Sequence, residues 1–310
     1  MFRKCMIPII SSVSLGIGGL VGAKLERCKQ SLNVEGKSLP AFPSVLAAKL
    51  DDVTTPVQEA GGRPSSVFPV NRSQEIMRFG FPGFDQVRTF DNYVMSYDRR
   101  NRNAHWVFEH LTPQNLAYDE SVHRGNSEFR EDTSIHQYFR STNYDYRRTR
   151  YDRGHLAAAQ NHRISQNALD QTFFLSNTSP QVGEGFNRGL WNDLEKYVRA
   201  VARNNKNVYV CTGPMYLPRL ESDGKVYVKY EVIGANQVAV PTHFFKVIVI
   251  ENLNGQFELQ SYLLPNQMLP ADTPLKKYFC HLDSIERSAG LLLFDKIPRN
   301  MFRKINGVKQ

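Results

Sequence analysis

Cysteine is scarce in this chain of 310 residues, and no long uncharged run occurs after its first 25 residues. The four cysteines, at positions 5, 28, 211 and 280, show no CxxC spacing, which excludes a disulfide framework and a zinc site built on paired cysteines. Cys211 lies in an apolar run and is predicted to be a buried, unreactive thiol. Hydrophobic residues make up 41% of the chain, enough for an ordinary core, so global disorder is excluded.

Acidic residues are in deficit, with 30 Asp and Glu against 39 Lys and Arg, a net charge of +9 at pH 7. Such an excess suits a polyanionic partner, either nucleic acid or an anionic membrane surface. Residues 1–48 hold six basic and two acidic side chains, so this part carries +4 and the rest of the chain +5. A polyanion site in the body of the chain must therefore be a local patch.

The amino terminus has the composition of a targeting segment. The 18 residues from Met6 to Ala23 carry no charge and follow Arg3 and Lys4. A mitochondrial presequence, a secretory signal peptide and a single membrane anchor all fit these residues, which leave the choice open. Proline, serine and glycine punctuate the following stretch, as is typical of a linker. The predicted organisation is a leader at 1–48, a flexible arm at 49–77 and one domain at 78–310.

The body of the chain is dominated by short apolar runs at strand spacing. Thr242–Glu251 is apolar on both faces at its end, as a central strand would be. Apolar residues at i, i+3, i+7 and i+10 from Trp191 predict a helix over Leu190–Arg203, and short helices are predicted at Pro274–Tyr278 and Ile285–Ala289. Strands outnumber helices without alternating with them, so the expected fold class is α+β with a largely antiparallel central sheet flanked by helices. The predicted strands are Asp91–Asp98, His105–Leu111, Val208–Thr212, Val226–Ile233, Thr242–Glu251 and Phe257–Leu264.

Arginine and tyrosine are concentrated between residues 140 and 153, where five arginines occur. The guanidinium fork matches phosphate oxygens, and tyrosine rings can lie against sugars or bases. A charge run by itself is more often a solvated loop, so the assignment depends on its neighbours. The candidate nucleic-acid contacts are Arg140, Arg147, Arg148 and Arg150.

The sequence Asp152-Arg153-Gly154-His155 closes this basic stretch. In an extended chain residues two apart point to the same side, so Arg153 and His155 can face one ligand. A fixed cation would then lie beside an imidazole that titrates near neutral pH. Gly154 is expected to leave room for the backbone of a substrate.

These four residues resemble the DRGH signature of the DNA/RNA non-specific endonucleases, of the ββα-metal or His-Me finger type. The resemblance runs from about Phe81 to about Ile297. It also rests on the sequences TFFLSN, WNDLEKY, VCTGP and SIER, which begin at residues 172, 191, 210 and 284. The resemblance implies a ββα-metal nuclease fold.

The resemblance also implies roles for individual residues. His155 matches the general base that takes a proton from the attacking water, and Arg153 matches an arginine near the scissile phosphate. Asn187 matches the single direct protein ligand of a catalytic Mg²⁺, for which Mn²⁺ is a substitute. Glu195 matches the acid that orients water carried by this metal. Asn177 matches the asparagine that holds the hydrogen-bond network of the site.

Several further residues have weaker assignments. Asp152 and Glu286 match supporting acids of the family, with Glu286 expected to be structural rather than in contact with the metal. His162 is interpreted as a structural or surface histidine. The further upstream arginine of the family corresponds to Arg124, Arg130 or Arg140, and the sequence leaves these three alternatives open.

The implied function is a sugar-nonspecific endonuclease that acts on double- and single-stranded DNA and on RNA, leaving 5′-phosphate and 3′-hydroxyl ends. Kinship further implies a homodimer, a protein inhibitor, residence in the mitochondrial intermembrane space, and release to the nucleus during cell death. In the nucleus the enzyme would fragment chromosomal DNA. Kinship also implies a role in the turnover of mitochondrial DNA. Two alternatives are a mitochondrial 5′ exonuclease of the same superfamily and a nucleic-acid-binding protein that has lost catalysis.

Overall fold

The computed structural model describes residues 86–310, which all lie within the domain predicted at 78–310. The leader and the arm, predicted at 1–48 and 49–77, lie outside the described residues. Within the described range, no helix is both long and apolar enough to cross a membrane.

An eight-stranded sheet forms the centre of the described part. Its strands lie in the order β1-β2-β3-β6-β11-β12-β13-β14, and every neighbouring pair is antiparallel except β12 and β13. Three separate two-stranded ribbons pair β4 with β5, β7 with β8, and β9 with β10. The strands are β1 (Gln86–Thr89), β2 (Tyr93–Asp98), β3 (Asn103–Leu111), β4 (Tyr151–His155), β5 (Thr178–Val182), β6 (Asn207–Met215), β7 (Arg219–Leu220), β8 (Val226–Tyr227), β9 (Val232–Ile233), β10 (Val238–Ala239), β11 (His243–Glu251), β12 (Phe257–Pro265), β13 (Phe302–Ile305) and β14 (Val308–Lys309).

Helices cover both faces of this sheet. Along β11 successive side chains point to opposite faces of the sheet. Phe244 therefore belongs to the core under the helix Trp191–Arg203, and Phe245 to the core under the helix Leu282–Ala289. The buried run of β11 between β6 and β12 confirms the prediction of a central strand. The α+β class with a largely antiparallel sheet is confirmed as well. The helices are α1 (Gln166–Thr172), α2 (Trp191–Arg203) and α3 (Leu282–Ala289), with short 3₁₀ turns that include Leu275–Tyr278.

The predicted elements agree with the structure except at one strand. The apolar stripe of α2 is confirmed, since Trp191, Leu194 and Val198 are buried. The single strand predicted over Val226–Ile233 is wrong, because this segment divides into β8 and β9, which pair with different partners. Val226 and Val228 are exposed, so the apolar alternation that suggested one strand does not pack on the core.

Candidate active site

The DRGH residues lie on β4, at the edge of a cleft of about 780 Å³. β4 pairs with β5 so that His155 stands opposite Thr178, and a turn then leads from β5 into α2. The arrangement is the expected ββα unit. Arg153 and His155 both line the cleft and both contact the Phe129 ring, with the Arg153 Cζ 4.5 Å and the His155 ring centroid 5.1 Å from its centre.

His155 is neutral at physiological pH in this environment. Burial lowers the pKa of His155 to about 3, and the positive charge of Arg124 acts in the same direction. No described residue offers a hydrogen-bond partner to its Nε2. A neutral imidazole keeps a lone pair that can accept a proton, which is the requirement for a general base.

Glu195 is the fifth residue of α2, and its side chain lines the same cleft. Its neighbour Leu194 is fully buried, which anchors the helix on the sheet. Burial raises the pKa of Glu195 to about 7, although the charges of Lys246 and Arg199 oppose this shift. The carboxyl group therefore titrates near neutral pH.

A buried polar network lies behind Glu195. Glu109 accepts hydrogen bonds from Asn161 Nδ2 at 2.8 Å and from His162 Nε2 at 2.9 Å. Arg199 bonds Asn161 at 3.3 Å, and the buried Lys246 donates from Nζ to the Thr212 hydroxyl at 2.6 Å. His162 is thus a buried hydrogen-bonding group, as interpreted from the sequence. The network itself was not predicted, because its residues are distant in sequence and lack a motif.

Asn177 is fully buried and does not line the cleft. Its Oδ1 accepts a hydrogen bond from the Ala157 amide at 2.9 Å, and its Nδ2 donates to the carbonyls of Ala157 and Thr172 at 3.0 and 2.9 Å. Ala157 is two residues after His155. Asn177 therefore ties the backbone that follows the histidine to the end of α1.

Asn187 lies in the turn Gly183–Leu190 that precedes α2, and it lines the cleft. Its Nδ2 donates to the Asp152 carboxylate at 2.8 Å. Because a carboxylate only accepts hydrogen bonds, the amide nitrogen faces Asp152 and the amide oxygen faces away from it.

The donor atoms of this cleft suit a hard divalent cation. Asn187 offers an amide oxygen and Glu195 a carboxylate, both oxygen ligands. Within residues 86–310, no three His, Cys, Asp or Glu side chains converge as a metal cluster. A cation bound here would rely on few protein ligands, with water and phosphate oxygens completing its shell, which is the pattern that Mg²⁺ prefers.

Gly154 has a different role from the one expected. A Cβ at this position would lie 2.1 Å from the side-chain Cδ of Gln181, which packs directly over the Gly154 backbone. The space is therefore filled by Gln181 rather than left open for a substrate backbone. The structure corrects the earlier interpretation, since Gly154 is needed for the packing of β4 on β5.

Of the four arginines predicted to contact nucleic acid, the structure brings Arg147 into the cleft. Arg140 pairs with Glu131 at 3.5 Å, outside the cleft lining. Arg150 contacts the hydroxyl of Tyr151 at 2.9 Å and the Glu231 carboxylate at 3.2 Å. Arg148 is exposed and likewise does not line the cleft.

Two other arginines complete the basic lining. Arg124, one of the three candidates for the upstream arginine, lines the cleft, whereas Arg130 stacks on the Phe174 ring at 4.4 Å and does not. Arg188 also lines the cleft and was missed in the sequence. Its position directly after Asn187 was a signal that could have identified it.

Glu286 lies on α3, away from the cleft. Its carboxylate accepts a hydrogen bond from the Leu293 amide at 2.8 Å and pairs with Arg299 at 2.9 Å. These contacts join α3 to the segment that follows it.

Several known proteins resemble this chain in sequence or in structure. The profile of the DNA/RNA non-specific endonucleases matches residues 72–300. "Endonuclease G, mitochondrial" of Caenorhabditis elegans is 55% identical over 240 residues, which cover 77% of this chain and 78% of the relative. "Endonuclease G, mitochondrial" of Homo sapiens is 52% identical over 223 residues, covering 72% and 74%. A crystal structure of the EndoG/EndoGI complex, which concerns the mechanism of EndoG inhibition, has a TM-score of 0.72 and 57% identity, covering 77% of this chain and 98% of that one.

Proposed function

Because the chain belongs to the DNA/RNA non-specific endonuclease family and is a nuclease, we propose that it is a Mg²⁺-dependent, sugar-nonspecific endonuclease. The observation that carries this proposal is the single cleft shared by His155, Asn187 and Glu195. The cleft brings a neutral imidazole, an amide oxygen and a carboxylate together beside four arginines. This combination is suited to the hydrolysis of a phosphodiester.

In the proposed mechanism His155 takes the proton of the attacking water. The lowered pKa of His155 means that the imidazole is neutral at working pH, so one ring nitrogen has a lone pair that can accept the proton. Arg153 binds a phosphate oxygen of the scissile group, and its contact with Phe129 holds the guanidinium beside His155. The water oxygen attacks phosphorus in line with the 3′ oxygen, the bond from phosphorus to that oxygen breaks, and the leaving oxygen takes a proton from solvent water, which yields 5′-phosphate and 3′-hydroxyl ends.

Asn187 and Glu195 are the residues that would hold Mg²⁺, Asn187 through its amide oxygen and Glu195 by orienting water. When bound, the cation neutralises charge that develops on the phosphate and the leaving oxygen. Mn²⁺ has the same preference for oxygen ligands and is the expected substitute. Asn177 keeps the backbone after His155 in position through its bonds to Ala157.

The proposed substrates are double- and single-stranded DNA and RNA. Arginines dominate the charged lining of the cleft, with Arg124, Arg147, Arg153 and Arg188 against Asp152 and Glu195. Guanidinium groups bind phosphates whatever the base, so sequence preference is expected to be weak. Arg147 is the candidate contact in the cleft from the basic stretch, and Arg140, Arg148 and Arg150 remain candidates for a more distant part of the nucleic acid.

A plasmid assay tests this function. Supercoiled DNA and an RNA should both be cut in Mg²⁺, and EDTA should abolish cleavage. His155→Ala should reduce the rate by roughly 10²–10⁴-fold, because general-base catalysis contributes about that much. His281→Ala is the matched control, since His281 is exposed and lies outside the cleft. Cleavage by His155→Ala at the wild-type rate would refute the assigned base.

The same assay separates the alternative functions. A strict 5′ exonuclease leaves closed circular DNA intact and degrades only the linear form. A protein that binds without cutting would show salt-dependent binding and no cleavage in Mg²⁺ or Mn²⁺. Either result would replace the endonuclease proposal.

We also propose a mitochondrial location, in the intermembrane space, with release to the nucleus for DNA fragmentation in cell death. The support is kinship, since the relatives from worm and human are both named mitochondrial. The amino-terminal sequence of protein purified from mitochondria tests import, and an intact Met1 would refute removal of the leader.

The proposed assembly is a homodimer that binds a protein inhibitor. The inhibitor is suggested by the solved EndoG/EndoGI complex, and the dimer by kinship alone. Sedimentation equilibrium should give twice the mass of one chain. A monomer at micromolar concentration would contradict the dimer.

A further inference from the structure

The Asp152 carboxylate is held between two consecutive residues of the turn that precedes α2. It accepts a hydrogen bond from Asn187 Nδ2 at 2.8 Å and another from Arg188 Nη1 at 2.6 Å. Asp152 belongs to β4, 35 residues earlier in the chain. A single carboxylate thus connects the strand that carries His155 to the turn that carries Asn187.

The turn is shaped to place Arg188 against Asp152. A Cβ on Gly183 would lie 2.5 Å from Arg188 Nη2 and 2.6 Å from Nη1, so the guanidinium packs on the bare backbone of Gly183. This close approach is independent of the ion pair itself. The start of the turn, at Gly183, therefore packs directly against the Arg188 side chain near its end.

The contact with Asp152 has a chemical consequence for Asn187. The two ends of an amide group have nearly the same shape, so an unrestrained asparagine presents its oxygen or its nitrogen with little difference in energy. A carboxylate accepts hydrogen bonds and cannot donate them, so it selects the orientation in which the nitrogen faces it. Only this orientation directs the amide oxygen away, where it can bind a cation.

We propose that Asp152 is a positioning residue that orients the Asn187 amide for a divalent cation, and that Arg188 holds Asp152 in place. This inference rests on the proposed function, because it takes Asn187 as the cation ligand. Asp152 acts through Asn187 and does not itself contact the reacting atoms. Arg188 acts one step further away, through Asp152.

The test measures the affinity for Mn²⁺ by electron paramagnetic resonance, with the folded protein and no nucleic acid. Asp152→Asn preserves the shape of the side chain, but its amide nitrogen can donate to the Asn187 oxygen, which holds the Asn187 amide in the opposite orientation with its oxygen turned away from the cation. We expect it to weaken Mn²⁺ binding roughly 10–100-fold, the usual effect of losing a partner that orients a metal ligand. Arg188→Gln should weaken binding about two- to fivefold, because the ion pair is largely exposed. Arg219→Gln breaks a comparable exposed pair with Glu221, outside the cleft, and should leave the affinity unchanged.

A double-mutant cycle separates orientation from simple charge. In an Asn187→Asp background no amide has to be oriented, so the loss caused by Asp152→Asn should shrink to within about threefold. If Asp152 acted only through its negative charge, or bound the cation directly, Asp152→Asn would reduce the Mn²⁺ affinity equally with Asn or with Asp at position 187. That result would overturn the inference. The effect of Arg188→Gln should likewise disappear once residue 152 is Asn.

The same measurements distinguish failure of this inference from failure of the proposed function. If Asn187→Ala leaves Mn²⁺ affinity unchanged, the proposed ligand is wrong. If Asn187→Ala abolishes binding while Asp152→Asn has no effect, the ligand stands and the inference is overturned. If Arg188→Gln raises KM for DNA with no change in Mn²⁺ affinity, Arg188 is a phosphate contact rather than a support for Asp152.

Discussion

Asn177 supports the cleft although its own side chain does not line it. All three of its hydrogen bonds go to main-chain groups of Ala157 and Thr172, in a fully buried position. Unsatisfied main-chain groups in such surroundings are costly. The residue thus contributes to the position of His155 and to the stability of the fold at the same time.

Asn177→Ala should lower the free energy of unfolding by about 2–4 kcal/mol, because two carbonyls and one amide lose their partner. Urea denaturation followed by circular dichroism measures this change. Asn205→Ala is a suitable control, because its Nδ2 bonds the Val201 carbonyl at a half-buried helix end. A loss below about 1 kcal/mol is expected there. Equal losses for the two variants would contradict the role given to Asn177.

The pH dependence of cleavage should follow Glu195. Burial raises the pKa of this carboxyl to about 7, so it becomes protonated as the pH falls through that value. If the ionised form is needed, the rate at limiting Mg²⁺ should decline below about pH 7, and saturating Mg²⁺ should move this limb to lower pH, because a bound cation favours the ionised carboxylate. His155 stays neutral over this range, since its pKa is lowered to about 3, and it adds no acidic limb.

A pH–rate profile of Glu195→Gln checks this assignment. The remaining activity of the variant should be flat between pH 5 and pH 8, since glutamine does not titrate. An acidic limb that persists unchanged in the variant would belong to another group.

At the scale of elements, α2 and α3 pack on opposite faces of the sheet, yet of these two helices only α2 carries residues of the cleft, Asn192 and Glu195. Leu194 and Ile285 are the corresponding buried anchors, each with no exposed surface. Their burial stabilises the fold to a similar degree. Because Leu194 precedes Glu195, its packing also determines where that carboxylate lies.

Leu194→Ala and Ile285→Ala should each destabilise the protein by about 2–5 kcal/mol, as expected for large-to-small changes in a core. Chemical denaturation measures this loss. Among molecules that remain folded at low temperature, Leu194→Ala should also reduce kcat, while Ile285→Ala should not. A drop in kcat of similar size in both variants would show that the cleft depends on the whole sheet rather than on α2.

At the scale of the whole molecule, charge is concentrated rather than spread. The net +9 of the chain includes +4 in residues 1–48, so the rest is only moderately basic. Four arginines nevertheless meet in one cleft. A local concentration of positive charge attracts a polyanion more strongly than the same charge scattered over the surface.

Salt dependence should identify the arginines that contact phosphate. Each phosphate contact contributes about 0.9 to the slope of log K against log salt for duplex DNA. Arg147→Gln should therefore reduce the slope by about one, measured by fluorescence anisotropy in Ca²⁺ or EDTA to prevent cleavage. Arg287→Gln is the matched control, since the Arg287 side chain is exposed and lies outside the cleft. A larger effect from Arg148→Gln than from Arg147→Gln would mean that the nucleic acid binds beside the cleft.

Much of the fold was predictable because local periodicity carries it. The stripe beginning at Trp191 required a helix, and the two apolar faces of Thr242–Glu251 required a central strand. The prediction over Val226–Ile233 was wrong because a period of two describes an extended chain and does not say which strand it joins. Strand partners are chosen by packing between distant segments.

The sequence by itself determined the candidate site residues of this protein: the DRGH residues with the spacings to Asn187 and Glu195, and a basic stretch beside them. Only the tertiary structure decided which of those groups meet. It brought Arg124, Arg147 and Arg188 to the cleft, left Arg140 and Arg150 to pair with acids elsewhere, and filled the space over Gly154 with Gln181. It also set the contact of Asp152 with Asn187. The reason is physical, since residue types and spacings are local properties, whereas hydrogen bonds, burial and charge pairing depend on atoms that folding brings together from distant positions.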